Sequence, residues 1–342
     1  MRPAAAFGVA ALVPLFVSAG GLALHNLILG AAYAIMALGL NVVVGFAGLL
    51  DLGYVAFYAI GAHVAAHVGS AFWANASVAV GVDARVAGTP GIHLSFLLIL
   101  ALAVVATTVA GVLIGLPALR VRGDYVGMVT LAFGEIIGLV VANGREIQFL
   151  GGTLTGGPNG IAVIDRVDLP FLPRFGALDL RPAYWFALAL LAAVLFVCVR
   201  LRDSRVGRAW MALREDEAAA ACAGVPIVRT KLQAYGLGAA LGGVSGAFLA
   251  SYLSFVNPNQ FTFSFSIFIL AMVVLGGLGS IWGVVAGAVV LSVVNNYVLP
   301  TGLSVDVSQI APGLYGFALV LLVLLRPQGL LPAADVRACS RS

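Results

Sequence analysis

Leu213-Arg214-Glu215-Asp216-Glu217-Ala218-Ala219-Ala220-Ala221-Cys222-Ala223-Gly224 is the acidic, alanine-rich centre of the longest charged break in the chain, which runs from Arg200 to Lys231. Its polarity stands out because nearly everything around it is oily. Of 342 residues, 62% are hydrophobic and 9% are charged, and the mean hydropathy is +1.08. That composition leaves too little polar surface to cover a soluble globule, so the solvent is lipid. A charged break between apolar runs then reads as a water-exposed helix held between two membrane crossings. Asp203-Ser204 supplies its cap, Arg208 to Glu217 are good helix formers, and Gly224-Val225-Pro226 supplies a stop.

Outward from that break, ten segments read as spans, each near the ~20 residues a helix needs to cross a bilayer. They are Ala4 to Leu22, Asn26 to Phe46, Tyr54 to Phe72, His93 to Ala118, Asp124 to Ala142, Ala183 to Arg200, Thr230 to Phe255, Phe261 to Gly277, Ile281 to Leu299 and Gln309 to Leu325. The expected fold is all-α: one polytopic transmembrane helical bundle over residues 1–342, with a long external loop at 143–182 and a cytoplasmic segment at 201–229. Only Leu278-Gly279-Ser280 separates the eighth and ninth spans, which leaves a re-entrant element as the alternative to two full crossings. The start, Met1-Arg2-Pro3 and an apolar run, imitates a secretory signal and is read as an uncleaved first span.

Basic residues set the orientation, because they accumulate on the cytoplasmic side. Threading an even number of spans leaves only Arg85, Arg145, Arg166, Arg174 and Arg181 of the 18 Lys and Arg residues on one face. The crowded face is therefore cytoplasmic and both termini are expected inside. Cys198, Cys222 and Cys339 then all fall at or near the reducing cytoplasmic side, and no disulfide is expected.

Glycines recur every four residues at Gly111/Gly115, Gly134/Gly138, Gly238/Gly242/Gly246 and Gly283/Gly287, the spacing that lets membrane helices pack closely. Val43-Val44-Gly45-Phe46-Ala47-Gly48 faintly echoes Val273-Val274-Leu275-Gly276-Gly277-Leu278-Gly279, a hint of the internal repeats of transporters that chance matching explains equally well.

Several function classes are set aside by what the sequence carries. Basic residues are not mixed with aromatics as a nucleic-acid groove requires. Metalloprotease, nucleophile-elbow and phosphate-loop motifs are absent, so neither ATP hydrolysis nor other catalysis is expected of this chain, and no cofactor is called for. His63 and His67 have the spacing of a metal pair without a third ligand. His93 is distant from them and is taken to lie at the opposite membrane surface from the nearest aspartate, so all three are read as structural. Glu135 is the one ionisable side chain well inside a span; it should face the bundle interior or a wet cavity, as a functional group or as a tie between helices. A carrier working alone would ordinarily need a fuller relay of intramembrane acids and bases. The turn-rich external run Gly151 to Ile161 reads as an ordered loop long enough to form a docking surface.

Several stretches taken in order resemble the LivM-type permease of branched-chain amino acid ABC transporters. They include Gly45-Phe46-Ala47-Gly48-Leu49-Leu50-Asp51-Leu52-Gly53-Tyr54, Thr130-Leu131-Ala132-Phe133-Gly134-Glu135, Gly156-Gly157-Pro158-Asn159-Gly160-Ile161, Gly207-Arg208-Ala209-Trp210-Met211-Ala212-Leu213-Arg214-Glu215-Asp216-Glu217 and Arg326-Pro327-Gln328-Gly329-Leu330. The resemblance implies an importer subunit in a bacterial cytoplasmic (inner) membrane. Its implied partners are a second homologous permease, two cytoplasmic ABC ATPases and an extracytoplasmic substrate-binding protein. It also implies that Arg208, Arg214, Glu215, Asp216, Glu217, Ala218, Ala219 and Gly224 form an ATPase-coupling helix, similar to the Glu-Ala-Ala-x3-Gly loop of ABC importers. Here the glycine falls one residue farther on, and an Ile-x-Leu-Pro ending is absent. Asn41, Thr130, Glu135 and Ser245 become candidates for the translocation path. The cargo it implies is leucine, isoleucine or valine, with urea or a short-chain amide as the alternative within the class; His63 stands where an aromatic residue is expected after Gly61-Ala62.

Overall fold

The computed structural model describes residues 21–73, 77–81, 90–119, 121, 125–149, 152–167 and 179–298, with a few positions between 313 and 330. Helix α1 (Leu22–Leu40) opens the described chain and winds on through a π-helical turn at Asn41–Phe46. After an irregular stretch come α2 (Val55–Val68), α3 (Phe96–Ala118), α4 (Tyr125–Asn143) and α5 (Arg181–Arg202). Two short helices follow, α6 (Arg205–Glu215) and α7 (Glu217–Cys222). The long α8 (Ile227–Leu253), α9 (Phe263–Gly276) and α10 (Ile281–Val293) complete the bundle.

Six described helical stretches are long and apolar enough to cross a membrane: Leu22–Phe46, Phe96–Ala118, Tyr125–Asn143, Arg181–Arg202, Ile227–Leu253 and Pro258–Gly276. Val55–Val68 and Ile281–Asn296 are apolar but shorter. The expected ten spans are thus six full-length and two short ones among the described residues. The expected first span, except its last two residues, and most of the tenth lie outside the described residues, as do the signal-like start and Cys339.

Helix α8 is the hub, packed against α1, α2 and α3. Its glycines make this possible. A side chain on Gly246 would strike the Tyr58 carbonyl of α2, and one on Gly238 would come within 3.0 Å of the Gly39 carbonyl of α1. With no hydrophobic drive between helices in lipid, such backbone approach is what dispersion and packing act through. The four-residue glycine intervals expected from the sequence therefore serve as contact points. Helices α9 and α10 form a hairpin across the turn Gly277–Ser280: a side chain on Gly287 would hit the Met272 carbonyl, and Gly277 and Gly279 take the positive φ values of 109° and 81° that the turn requires.

Irregular backbone inside a bundle must find partners, since water is not at hand. Four side chains supply them. Asp51 Oδ1 accepts from the Gly53 N–H at 3.0 Å, Thr130 Oγ1 from Leu52 N–H at 3.0 Å, Ser266 Oγ from Val55 N–H at 3.1 Å and Asn41 Oδ1 from Gly279 N–H at 2.9 Å. The break between α1 and α2 and the turn after α9 are thereby held together.

On the side opposite to that turn, small strands close the bundle. Strands β1 (Gly69–Ser70), β2 (Ser77–Val80) and β3 (Gly91–Leu94) form one sheet in the order β1-β3-β2. In the 143–182 loop, β4 (Gln148–Phe149) pairs with β5 (Gly152–Thr153), and β6 (Ile161–Ala162) pairs with β7 (Phe255–Val256) just after α8. The described part of this loop is therefore stitched to the bundle rather than free of it.

Candidate coupling site

The charged break folds into two helices with separate caps. Ser204 Oγ accepts from the Gly207 N–H at 3.2 Å and starts α6. Along α6, Gly207, Trp210 and Leu213 are buried, the i, i+3, i+6 face of an amphipathic helix. Trp210 is wholly buried, and its indole N–H donates to the Thr230 carbonyl at 2.9 Å, fastening α6 to the start of α8. Asp216 caps α7, with Oδ1 accepting from Ala218 N–H at 2.8 Å and Ala219 N–H at 3.0 Å.

Gly224 ends α7 at φ +83°. The Val225 N–H returns to the Ala220 carbonyl and the Gly224 N–H to the Ala221 carbonyl, both at 3.0 Å, the paired bonds of a Schellman stop. This explains how the glycine can fall one residue late without loss of the helix end. On α7 only Ala220 is buried; Glu217, Ala218, Ala219, Ala221 and Cys222 are exposed. Glu217 meets Lys231 Nζ of α8 at 2.8 Å, Arg208 Nη1 donates to the Asp203 carbonyl at 2.9 Å, and Glu215 is exposed. Arg202 Nε donates to Asp203 Oδ1 at 2.8 Å and holds that carboxyl below its usual range.

Arg214, at the last turn of α6, reaches into the bundle. Its Nη1 donates to the Gly45 carbonyl, in the π-helical turn of α1, at 2.6 Å. Gly48 and Gly279 make room for it: a side chain on Gly48 would come within 2.9 Å of Arg214 Cγ, and one on Gly279 within 3.0 Å of Nη1. The guanidinium thus sits where the end of α1 meets the α9–α10 turn. The two segments that echo each other in sequence, 43–48 and 273–279, are neighbours here: a side chain on Gly279 would come within 3.3 Å of the Gly45 carbonyl. Nothing in the residue spacing announced that junction; the glycines at 45, 48 and 279 were its signal.

The four path candidates are not brought together. Asn41, Thr130 and Ser245 are buried, the first two satisfying backbone N–H groups and Ser245 donating to the Ala32 carbonyl at 2.8 Å. Glu135 is exposed on the outer face of α4, not turned into the chain's own bundle as one expectation had it. Asp51, buried at 2% exposure in the α1–α2 break, was not singled out by sequence reasoning, although it is an acid in a nearly uncharged stretch.

The histidine expectations divide. His63 and His67 bond through Nδ1 to the carbonyls of Ala59 and His63, and His67 Nε2 contacts the Leu154 carbonyl at 2.9 Å. Both line an apolar cavity of about 590 Å³ with Trp73, Val140 and Thr155. Groups of three or more His, Cys, Asp or Glu arranged for a metal are absent among the described residues. The placing of His93 away from any aspartate was wrong: its Nδ1 lies 2.6 Å from Asp165 Oδ2, because the loop after β6 folds back over the bundle end. Cys198 and Cys222 are free thiols.

A helical membrane bundle with a small amphipathic helix pair bonded beneath it is the build of a transport permease. The chain belongs to the family described as branched-chain amino acid transport system / permease component, whose model matches residues 22–325. It is 38% identical to the high-affinity branched-chain amino acid transport system permease protein LivM of Salmonella typhimurium, over 93% of this chain and 72% of that one. It is 28% identical to the corresponding LivH protein of Escherichia coli, over 91% of this chain and 95% of that protein. A probable LivM of Methanocaldococcus jannaschii is 24% identical over 89% and 91% of the two chains. No solved structure matches.

Proposed function

We propose that this chain is one permease subunit of an ATP-driven importer of branched-chain amino acids. Its partners would be a second, LivH-like permease, two cytoplasmic ATPases and a substrate-binding protein on the outer side. The single observation that carries the coupling part of this reading is the Arg214–Gly45 bond. In this reading α7 is the exposed element the ATPases engage, and α6 transmits the push. Arg214 then delivers it to the end of α1 and the α9–α10 turn, while Trp210 and Lys231 carry it to α8. Rigid helices in backbone contact move as units, so a displacement at the cytoplasmic end reaches the far end of the bundle.

The same reading has about ten spans, both termini in the cytoplasm of a bacterial inner membrane, and an external loop at 143–182 that receives the binding protein. Zwitterions with apolar side chains need small, mildly polar walls, for which Asn41, Thr130, Glu135 and Ser245 are the candidates. The chain holds no ATPase of its own in this scheme. Uptake of radiolabelled leucine and of urea by the reconstituted assembly tests it. ATP-dependent leucine uptake supports the proposal, urea uptake in its place overturns the cargo, and gradient-driven uptake by this chain alone overturns the class.

A further inference from the structure

Glu135 lies ten residues past Tyr125 in α4, about 15 Å along the axis at 1.5 Å per residue, near the middle of a membrane-length helix. It does not stand alone. Tyr125, Met128, Ala132, Glu135, Ile136 and Leu139 are all exposed and recur at helical spacing, so they form one continuous outer face. Among the described residues, nothing in the chain donates a hydrogen bond to the Glu135 carboxylate or pairs with it.

The helix is not free to turn that carboxylate inward. Its other face is pinned by close contacts: a side chain on Gly134 would come within 3.0 Å of Gly53 Cα and one on Gly138 within 3.0 Å of the Phe261 carbonyl, both backbone, and one on Gly127 within 2.8 Å of the Leu50 side chain. Thr130 Oγ1 accepts from the Leu52 N–H between those contacts. The rotation of α4 about its axis is thereby fixed.

The outward faces of α3 and α5 differ in kind. On α3 the exposed side chains include Leu102, Val105, Val109 and Leu113. On α5 they include Trp185, Phe196 and Val197, with Arg200 folded over the Phe196 ring at the helix end. Those faces suit acyl chains. A carboxylate at mid-membrane is expensive against lipid, so the α4 face is one that lipid does not cover.

We propose that this α4 face is covered by a second, non-identical permease subunit of the same fold, with Glu135 on a water-filled seam between the two. The proposal rests on the function given above. A second copy of this chain is the poorer occupant, because a twofold interface would set two Glu135 carboxylates at one depth across a low-dielectric gap. A non-identical subunit can instead place water or a hydrogen-bond donor at that depth.

A photo-cross-linking amino acid is placed singly at Met128, Ile136 and Leu139 of α4, and at Leu102, Val105 and Val109 of α3, in the assembled transporter in its membrane. Adducts are identified by mass spectrometry. The α4 positions are expected to join the other permease, and the α3 positions to give lipid adducts only. Adducts with another copy of this chain, lipid adducts alone from α4, or permease adducts from α3 but not α4 would each overturn the proposal.

The seam is tested by thiol labelling with a charged methanethiosulfonate, comparing Glu135→Cys with Val105→Cys after the native cysteines are replaced. Because the thiolate forms only in water, Glu135→Cys is expected to react about tenfold faster; equal rates overturn the wet seam. Leucine uptake by the unaltered assembly is measured alongside. Intact uptake with failed cross-linking sinks the interface alone, whereas absent uptake sinks the function it rests on.

Discussion

Replacing Arg214 by alanine removes the one hydrogen bond that ties the end of α6 to the end of α1. The bond is 2.6 Å long, charge-assisted and partly buried, and the acceptor is a carbonyl of a π-helical turn. Hydrogen bonds to charged groups contribute about 1.5–3 kcal/mol, and the exposure of the Arg214 side chain places this one near the lower end, about 1.5 kcal/mol. That magnitude shifts an equilibrium between coupled and uncoupled positions of α6 about tenfold. The bundle itself should survive, because Trp210, Thr230 and the glycine contacts of α8 do not involve Arg214. The expected phenotype is therefore specific: normal insertion and normal recruitment of the ATPases, leucine uptake reduced about tenfold, and ATPase activity that no longer responds to the loaded binding protein. Arg214→Lys keeps the charge but loses the planar fork that reaches between Gly48 and Gly279, so it should recover only part of the uptake. Both variants are assayed in proteoliposomes with the complete assembly, ATP hydrolysis and uptake being measured together. Wild-type uptake by Arg214→Ala would refute the idea that force passes through this residue, and loss of ATPase recruitment would mean that the residue belongs to the docking surface instead.

Asp216→Ala deletes both hydrogen bonds that start α7 and should destabilise that helix by about 1 kcal/mol, lowering stimulated ATPase activity with no change in membrane insertion. Glu217→Arg places a cation against Lys231 and reverses the charge on the exposed face of α7; uptake should be abolished while the protein still inserts, and full transport would refute the coupling role. Trp210→Ala leaves a large cavity beneath α6 and removes the bond to the Thr230 carbonyl, a loss of about 3–5 kcal/mol that thermal unfolding in detergent should register as a clearly lower midpoint. Gly246→Leu forces α8 away from the Tyr58 carbonyl and should cost assembly outright, read as aggregation on size-exclusion chromatography.

Composition, span lengths and the four-residue glycine intervals were enough to give the helical membrane bundle, because burial in lipid imposes its rules on every segment locally. The start of α6 and the stop of α7 were equally legible, because Ser204 and Gly224 act within a turn of their own position. The break at Asp216, which divides the one expected helix and caps α7, was not read, since Asp216 stands within a run of good helix formers. Residues whose role is set by distant neighbours were not. The pairing of His93 with Asp165 needed the external loop to fold back across the bundle, and the grip of Arg214 on Gly45 joined residues 169 positions apart. Asn41 and Thr130 stood out in the sequence by their polarity alone, and only tertiary packing supplied the backbone N–H that each of them satisfies. For Glu135 the sequence supplied the depth and the cost of a buried carboxylate. Only packing supplied its direction, because the rotation of a helix about its own axis is fixed by the neighbours its glycines touch, and α4 touches them on the other side.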